Sequence, residues 1–260
     1  MAKNKAAATS KNVVNIKDSE LAVYSTGEED GFEEADSDSY AIPRLKLLQK
    51  SSPEVDEDNG EYVEGAKHGQ FFNTATGELF PDGVKIIPCH YRRSFIEWVP
   101  RPAGGFVAEY SASEGIELLK TCEQDDKGFD ILPNDNQLMD TRTHFLLVID
   151  EKGSATPVVM SATRTQITGS KNWMTLMRNR KMPNGHGAAM FAQVFTLESI
   201  IKTKDDNSWS VFKAKPEGLI FDVFPETHSA LFKEATDFRD MINSGIAKVE
   251  HVQDGIVSNS

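Results

Sequence analysis

Residues 84–101 read VKIIPCHYRRSFIEWVPR. β-Branched and aromatic residues dominate this run, as they do in strands, and only Pro88 interrupts it. It predicts one long, bent strand, with Pro88 at an edge or bulge because proline cannot donate to a strand ladder. Alternation sets Tyr91, Arg93 and Phe95 on one face and Arg92, Ser94, Ile96 and Trp98 on the other. The text downstream supplies partners for this strand. THFLLVID (143–150) reads as a buried strand and TPVVMSA (156–162) as a second, joined by the turn EKGSA. TRTQITGSKNWMTLMRNRK (163–181) then places Ile167, Trp173, Met174, Leu176 and Met177 at helical spacing, with Thr163 or Thr165 as cap, and PNGHG ends that helix. MFAQVFTLESIIKT (190–203) and NSWSVFKAKP (207–216) form a second hairpin around KDDN, and THSALFKEATDFRDMINSG (227–245) is an amphipathic helix ended by Gly245. Five strands with one helix between the third and fourth is the element order of an OB-fold, a small, partly open Greek-key barrel. The expected fold class is therefore mainly β, a β-barrel of OB-fold type with an added C-terminal helix and disordered termini.

The domain layout follows from charge. The chain has 260 residues, 39% of them hydrophobic, and a formal net charge of −12. Residues 18–38 hold nine acids and no base, so residues 1–40 are expected to be a disordered acidic leader. The barrel is expected at 41–220, and 221–260 holds the C-terminal helix and a tail. Within the barrel, 102–141 reads as an inserted acidic loop, with two bases against nine acids and a single helical turn around GIELLKTC. Upstream, IPRLKLLQKSSPEV predicts an edge strand or short arm, and the glycines at 60, 65, 69 and 77 punctuate short strands and hairpins. Residues 67–220 balance at eighteen bases and eighteen acids, while 164–215 carries nine Lys/Arg against three Asp/Glu. An acidic chain can thus carry a basic face.

Chemistry-bearing motifs are sparse. There is no phosphate loop, nucleophile elbow, HExxH pair or CxxC pair, and the histidines 68, 90, 144, 186, 228 and 251 never fall at metal-ligand spacing. Carboxylates such as Asp140, Asp150 and Asp222 would suggest an enzyme only if they converged in a cleft. No cofactor is expected, and the reading is non-enzymatic. Cys89 and Cys122 read as free thiols of a reducing compartment; with no apolar run of membrane length and no secretory leader, a cytoplasmic protein without a membrane is expected.

Binding of single-stranded nucleic acid needs a positive groove along the phosphates and rings on which bases stack. The sequence offers both in the same elements. The phosphate-contacting candidates are Arg92, Arg93, Arg101, Arg178, Arg180, Lys181, Lys213 and Lys215. The stacking candidates are Tyr91, Trp98, Phe106 and Trp209. Each also has a structural reading: rings as core, arginines as edge guards, and the helix-end cations as complements of the helix dipole.

IPRLKLLQ after an acidic leader, FFNTATGELF, VKIIPCHYRRSFIEWVPR followed by GGF, VVMSATRTQITGSKNWMTLM and NSWSVFKAK together resemble tailed-bacteriophage single-stranded DNA-binding proteins with an OB-fold. The likeness spans residues 42 to 215. It implies a non-enzymatic protein that coats single-stranded DNA in phage replication or recombination, in the host cytoplasm. Its replication or recombination partners would be engaged through the acidic N-terminal segment, since the chain ends HVQDGIVSNS where such proteins often carry an acidic tail. A homo-oligomer is compatible with this reading. The rival expectation is a phage structural or protein-interaction β-barrel that does not bind nucleic acid.

Overall fold

The strand expected at 84–101 forms as Val84–Trp98, and the rest of the molecule is arranged around it. The computed structural model describes residues 42–100, 103–205 and 207–245; Arg101 and the acidic leader lie outside them. In chain order the described elements are β1 (Leu45–Leu47), β2 (Phe71–Asn73), β3 (Leu79–Phe80), β4 (Val84–Trp98), β5 (Phe106–Ser111), α1 (Ala112–Leu119), β6 (Glu123–Gln124), β7 (Asp130–Ile131), β8 (Gln137–Ile149) and β9 (Ala155–Thr163). Then follow α2 (Ile167–Asn179), β10 (Gln193–Lys204), β11 (Asn207–Leu219), a helical turn at Ile220–Val223, and α3 (His228–Asn243).

β4 pairs with β8 along one side, from Ile86↔Val148 to Trp98↔Gln137. Its other side is shared: Val84–Ile86 pair with β10 and Ser94–Trp98 with β5. β9 adds to β8 and β11 to β10, giving the path β9-β8-β4-β10-β11 through the five expected core strands, with α2 between the third and fourth. The register breaks between Pro88 and His90, which makes Cys89 the bulged residue. Proline is tolerated there because β10 has left β4 and β5 has not yet joined it.

The sheet curls into a half-barrel, and its two outermost core strands do not pair with each other. A single N-terminal segment touches both. Pro43 O accepts from Val159 N on β9 at 2.8 Å, and the Gln49 amide exchanges two hydrogen bonds with the Ser210 backbone of β11, at 3.0 and 2.9 Å. Gln166 completes the seam by donating to Ser210 O and accepting from Phe212 N. Two glutamine amides thus satisfy an edge that would otherwise offer open backbone groups.

Each face of the sheet has its own core. The inner face carries Ile86, Leu146, Val148, Val158, Met160, Phe195, Leu197 and Phe212, packed on Trp173 and Met177 of α2 and on Leu45 and Phe71. The outer face carries Ile87, Cys89, Phe145, Leu147, Val159 and Val194, packed on Leu231, Ala235, Phe238 and Ile242 of α3. The mainly β, barrel-like architecture with a C-terminal helix is as expected. Gly245, in the left-handed region at φ 76°, follows α3.

Two local expectations are corrected. The insertion is more than an acidic loop with one helical turn: it contributes β5, the two-turn helix α1 and the short strands β6 and β7. Ser111 caps α1 in a reciprocal capping box with Glu114, and Gly115 lies against Phe95 so closely that a Cβ would meet the ring at 2.2 Å. Neither Thr163 nor Thr165 caps α2, which follows a 3-10 turn at Arg164–Gln166 and has no side-chain cap bond. Gln166, at the cap position, uses its amide on β11 instead.

Candidate nucleic-acid interface

Cross-strand register decides which face each candidate occupies. Tyr91 opposes His144, Arg93 opposes Arg142, and Phe95 opposes Asp140, so these six side chains share the inner face. There they form a connected polar strip between α1 and α2. Asp140 accepts from Arg93 Nε and Nη2 at 3.1 and 2.7 Å, and from Arg142 Nε and Nη2 at 3.0 and 3.1 Å. Arg142 Nη1 donates to Tyr91 Oη at 3.1 Å. Burial works against ionisation of Asp140, but the hydrogen bonds and charges of both arginines outweigh it and hold the carboxyl below its ordinary range. Phe95 is fully buried in a satellite core with Leu132 and Leu138, and Arg93 lies over its ring at 5.0 Å.

His144 continues the strip toward α2. Its ring stacks on Trp173 with centroids 4.6 Å apart, and Nε2 hydrogen-bonds the Ser170 hydroxyl at 2.8 Å. Desolvation, reinforced by the Arg142 charge, pushes its pKa down to about 3 and keeps the imidazole neutral.

The other face of β4 is different. Arg92 lies on the outer face with its guanidinium 5.5 Å from the Phe145 ring. Trp98 also points outward but is only 4% exposed, and it meets Phe106 of β5 edge-on with centroids 6.1 Å apart. Phe106 is 48% exposed. A ring covered as Trp98 is offers no face to a base, whereas Phe106 does.

The remaining candidates lie on α2 and on the β10–β11 ribbon. Arg178 is exposed in the last turn of α2, half-buried Arg180 follows it, and exposed Lys181 bridges to Gly187 around the PNGHG loop. Trp209, Lys213 and Lys215 share the outer face of β11, where Trp209 is half-buried and both lysines are exposed. Lys215 makes long, exposed ion pairs with Glu198 and Glu217, at 3.8 and 3.7 Å, which are worth little. The structure therefore groups Tyr91 with Arg93, Trp98 with Phe106, and Trp209 with Lys213 and Lys215; these groups do not form one surface.

Several participants escaped the sequence reading. Arg142 and His144 became visible only through their pairing with β4, because Arg142 falls between the expected insertion and the expected strand, and THFLLVID, which holds His144, reads as a buried strand. Lys202 and Lys204 stand on β10 opposite Trp209 and Asn207. Their spacing in IIKTK, read against the hairpin turn, held that information. Asp140 and Asp150 do not converge: ten residues of strand β8 separate them, about 33 Å. Among the described residues no group of three or more His, Cys, Asp or Glu is placed to hold a metal ion, and no helix is long and apolar enough to cross a membrane.

A family model described as "Pam3 phage gp34-like protein" matches residues 9–248. No curated protein and no solved structure matches the chain significantly.

Proposed function

Because the chain belongs to the Pam3 phage gp34-like family, a family of phage proteins, we propose that it binds single-stranded DNA with little sequence preference during phage DNA replication or recombination. The observation that carries this reading is where the basic segment lies. Residues 164–215 hold nine Lys/Arg against three Asp/Glu, and apart from Arg164, which lies over Phe129 of the insertion, those cations stand on α2, on the segment just after it and on β10 and β11, exposed except for half-buried Arg180. A barrel-like sheet with a cationic flank is the kind of surface on which OB-type domains hold an extended strand.

Phosphates neutralise the exposed cations, and bases stack on the accessible rings Phe106 and Trp209. The acidic N-terminal segment recruits replication or recombination partners. The protein acts without a cofactor, in the host cytoplasm.

The test is fluorescence anisotropy of a labelled oligo-dT titrated with protein at two salt concentrations, with duplex DNA and RNA run alongside. Tight binding of the oligo-dT at low salt that weakens steeply with added salt is expected. Indifference to all three nucleic acids, together with a complex of fixed stoichiometry with another phage protein, would replace this reading with the protein-interaction one. A preference for duplex would overturn the single-strand assignment.

A further inference from the structure

Resting on the single-strand reading, we infer that the bound strand lies along the outer face of the β10–β11 ribbon, and that Lys202 and Lys204 contact it together with Trp209 and Lys213. The register sets this face out residue by residue. Glu198 opposes Lys213, Ile200 opposes Val211, Lys202 opposes Trp209, and Lys204 opposes Asn207. Alternate residues on each strand share a face, so Lys202, Lys204, Trp209, Lys213 and Lys215 stand on one side of a two-stranded ribbon, with Glu198 as the acid among the paired positions. From Asn207 to Lys215 the row extends eight residues along β11, about 26 Å.

Two further observations favour this face over the inner one. β4 pairs with β10 only at Phe195–Leu197, so the row from Ile200 onward projects beyond the central strand. The inner-face guanidiniums, by contrast, are already held in two-pronged contact with Asp140, and a phosphate would have to displace that carboxylate. Among the described residues of the ribbon only Lys215 has carboxylate partners, Glu198 and Glu217, and those pairs are long and exposed, at 3.8 and 3.7 Å. Cations spaced at two-residue intervals beside a half-exposed indole match an extended polyanion whose bases are unpaired, because the ring can stack only on a base that has left its own partner.

Trp209 supplies its own reporter. Trp98 and Trp173 are 4% and 1% exposed, which leaves Trp209 as the accessible indole. In the full-length protein, acrylamide is expected to quench the Trp209 emission, and oligo-dT to protect it. In the anisotropy titration, Lys202→Gln with Lys204→Gln is expected to flatten the salt slope by about 1.4, since each single-strand phosphate contact contributes about 0.7. Trp209→Leu is expected to weaken binding between about 5-fold and 100-fold, and Trp209→Phe to retain most of the affinity. Lys120→Gln in the insertion is the control for lost charge, and melting curves exclude unfolding.

The two readings fail differently. If the wild-type protein binds no oligo-dT, the function assigned above falls. If the wild type binds while the double lysine variant keeps its affinity and slope and oligo-dT leaves Trp209 open to acrylamide, the strand lies elsewhere and the ribbon assignment falls alone.

Discussion

Between β4 and β8 one carboxylate serves two guanidiniums, and removing its charge leaves both without a counterion in a half-buried strip. Asp140→Asn is therefore expected to destabilise the fold by about 2–3 kcal/mol, the scale of losing charged hydrogen bonds while stranding their partners, and a denaturant melt reads it. His144, next along the strip, sets the response to acid. Its folded pKa of about 3 lies below the ordinary 6.5, so the unfolded chain takes up the proton first as pH falls. Stability is full above pH 6.5 and is lost progressively between 6.5 and 3; at pH 5 the linked loss approaches about 2 kcal/mol. Asp140, with its pKa lowered, adds a loss of the same sign below its ordinary value of 3.8. Chemical denaturation at pH 7.5 and pH 5 checks this, and replacing His144 by Gln, which cannot titrate, is expected to flatten the dependence. Equal stability of the wild type at the two pH values would refute it.

At the scale of elements, α1 depends on a missing side chain. Alanine is the better helix former by about 1 kcal/mol, so propensity alone would make Gly115→Ala stabilising. The Phe95 ring, 2.2 Å from the new Cβ, reverses the sign. Because Phe95 is fully buried and cannot swing away, overpacking is expected to cost about 1–3 kcal/mol net, read as a lowered melting temperature. The seam offers a second test. Gln166→Leu removes the donor to Ser210 O and the acceptor for Phe212 N, and is expected to cost about 1–2 kcal/mol and to promote self-association through the bared β11 edge, visible by light scattering. These elements also mark what the sequence could disclose. The five core strands, α2 and α3 were legible because alternation and helical spacing are written in their own residues. Helix α1 was hidden inside acidic text, although Ser111 and Glu114 carried a capping-box signature. The glutamine seam was invisible, because it joins residues 161 and 44 positions apart. The same limit applied to the candidate site: alternation separated Tyr91 and Arg93 from Arg92 and Trp98, but only the neighbours of β4 decide which of those faces is inner and which ring is covered.

For the molecule as a whole, charge is segregated along the chain more sharply than its net value suggests. Residues 1–40 carry nine acids and four bases, while 164–215 carries nine bases and three acids. A formal charge of −12 repels a nucleic acid at long range, whereas in the proposed complex the exposed cations of α2, β10 and β11 would meet it at contact. The two effects separate by ionic strength, since repulsion across the molecule is screened beyond about 10 Å at 0.1 M salt, while contacts between lysine and phosphate are made within that distance. A chain beginning at Ala41 loses a net −5 and keeps every described cation. Its association with oligo-dT, followed by stopped-flow fluorescence, is expected to be several-fold faster than that of the full chain at about 0.05 M salt, and to converge with it at about 0.5 M, where the Debye length has shrunk to a few ångströms. The salt slope set by the phosphate contacts should be carried mainly by dissociation in both proteins, because truncation leaves the ribbon and α2 untouched. If the two proteins associate equally fast at low salt, the acidity of residues 1–40 exerts no electrostatic effect on encounter.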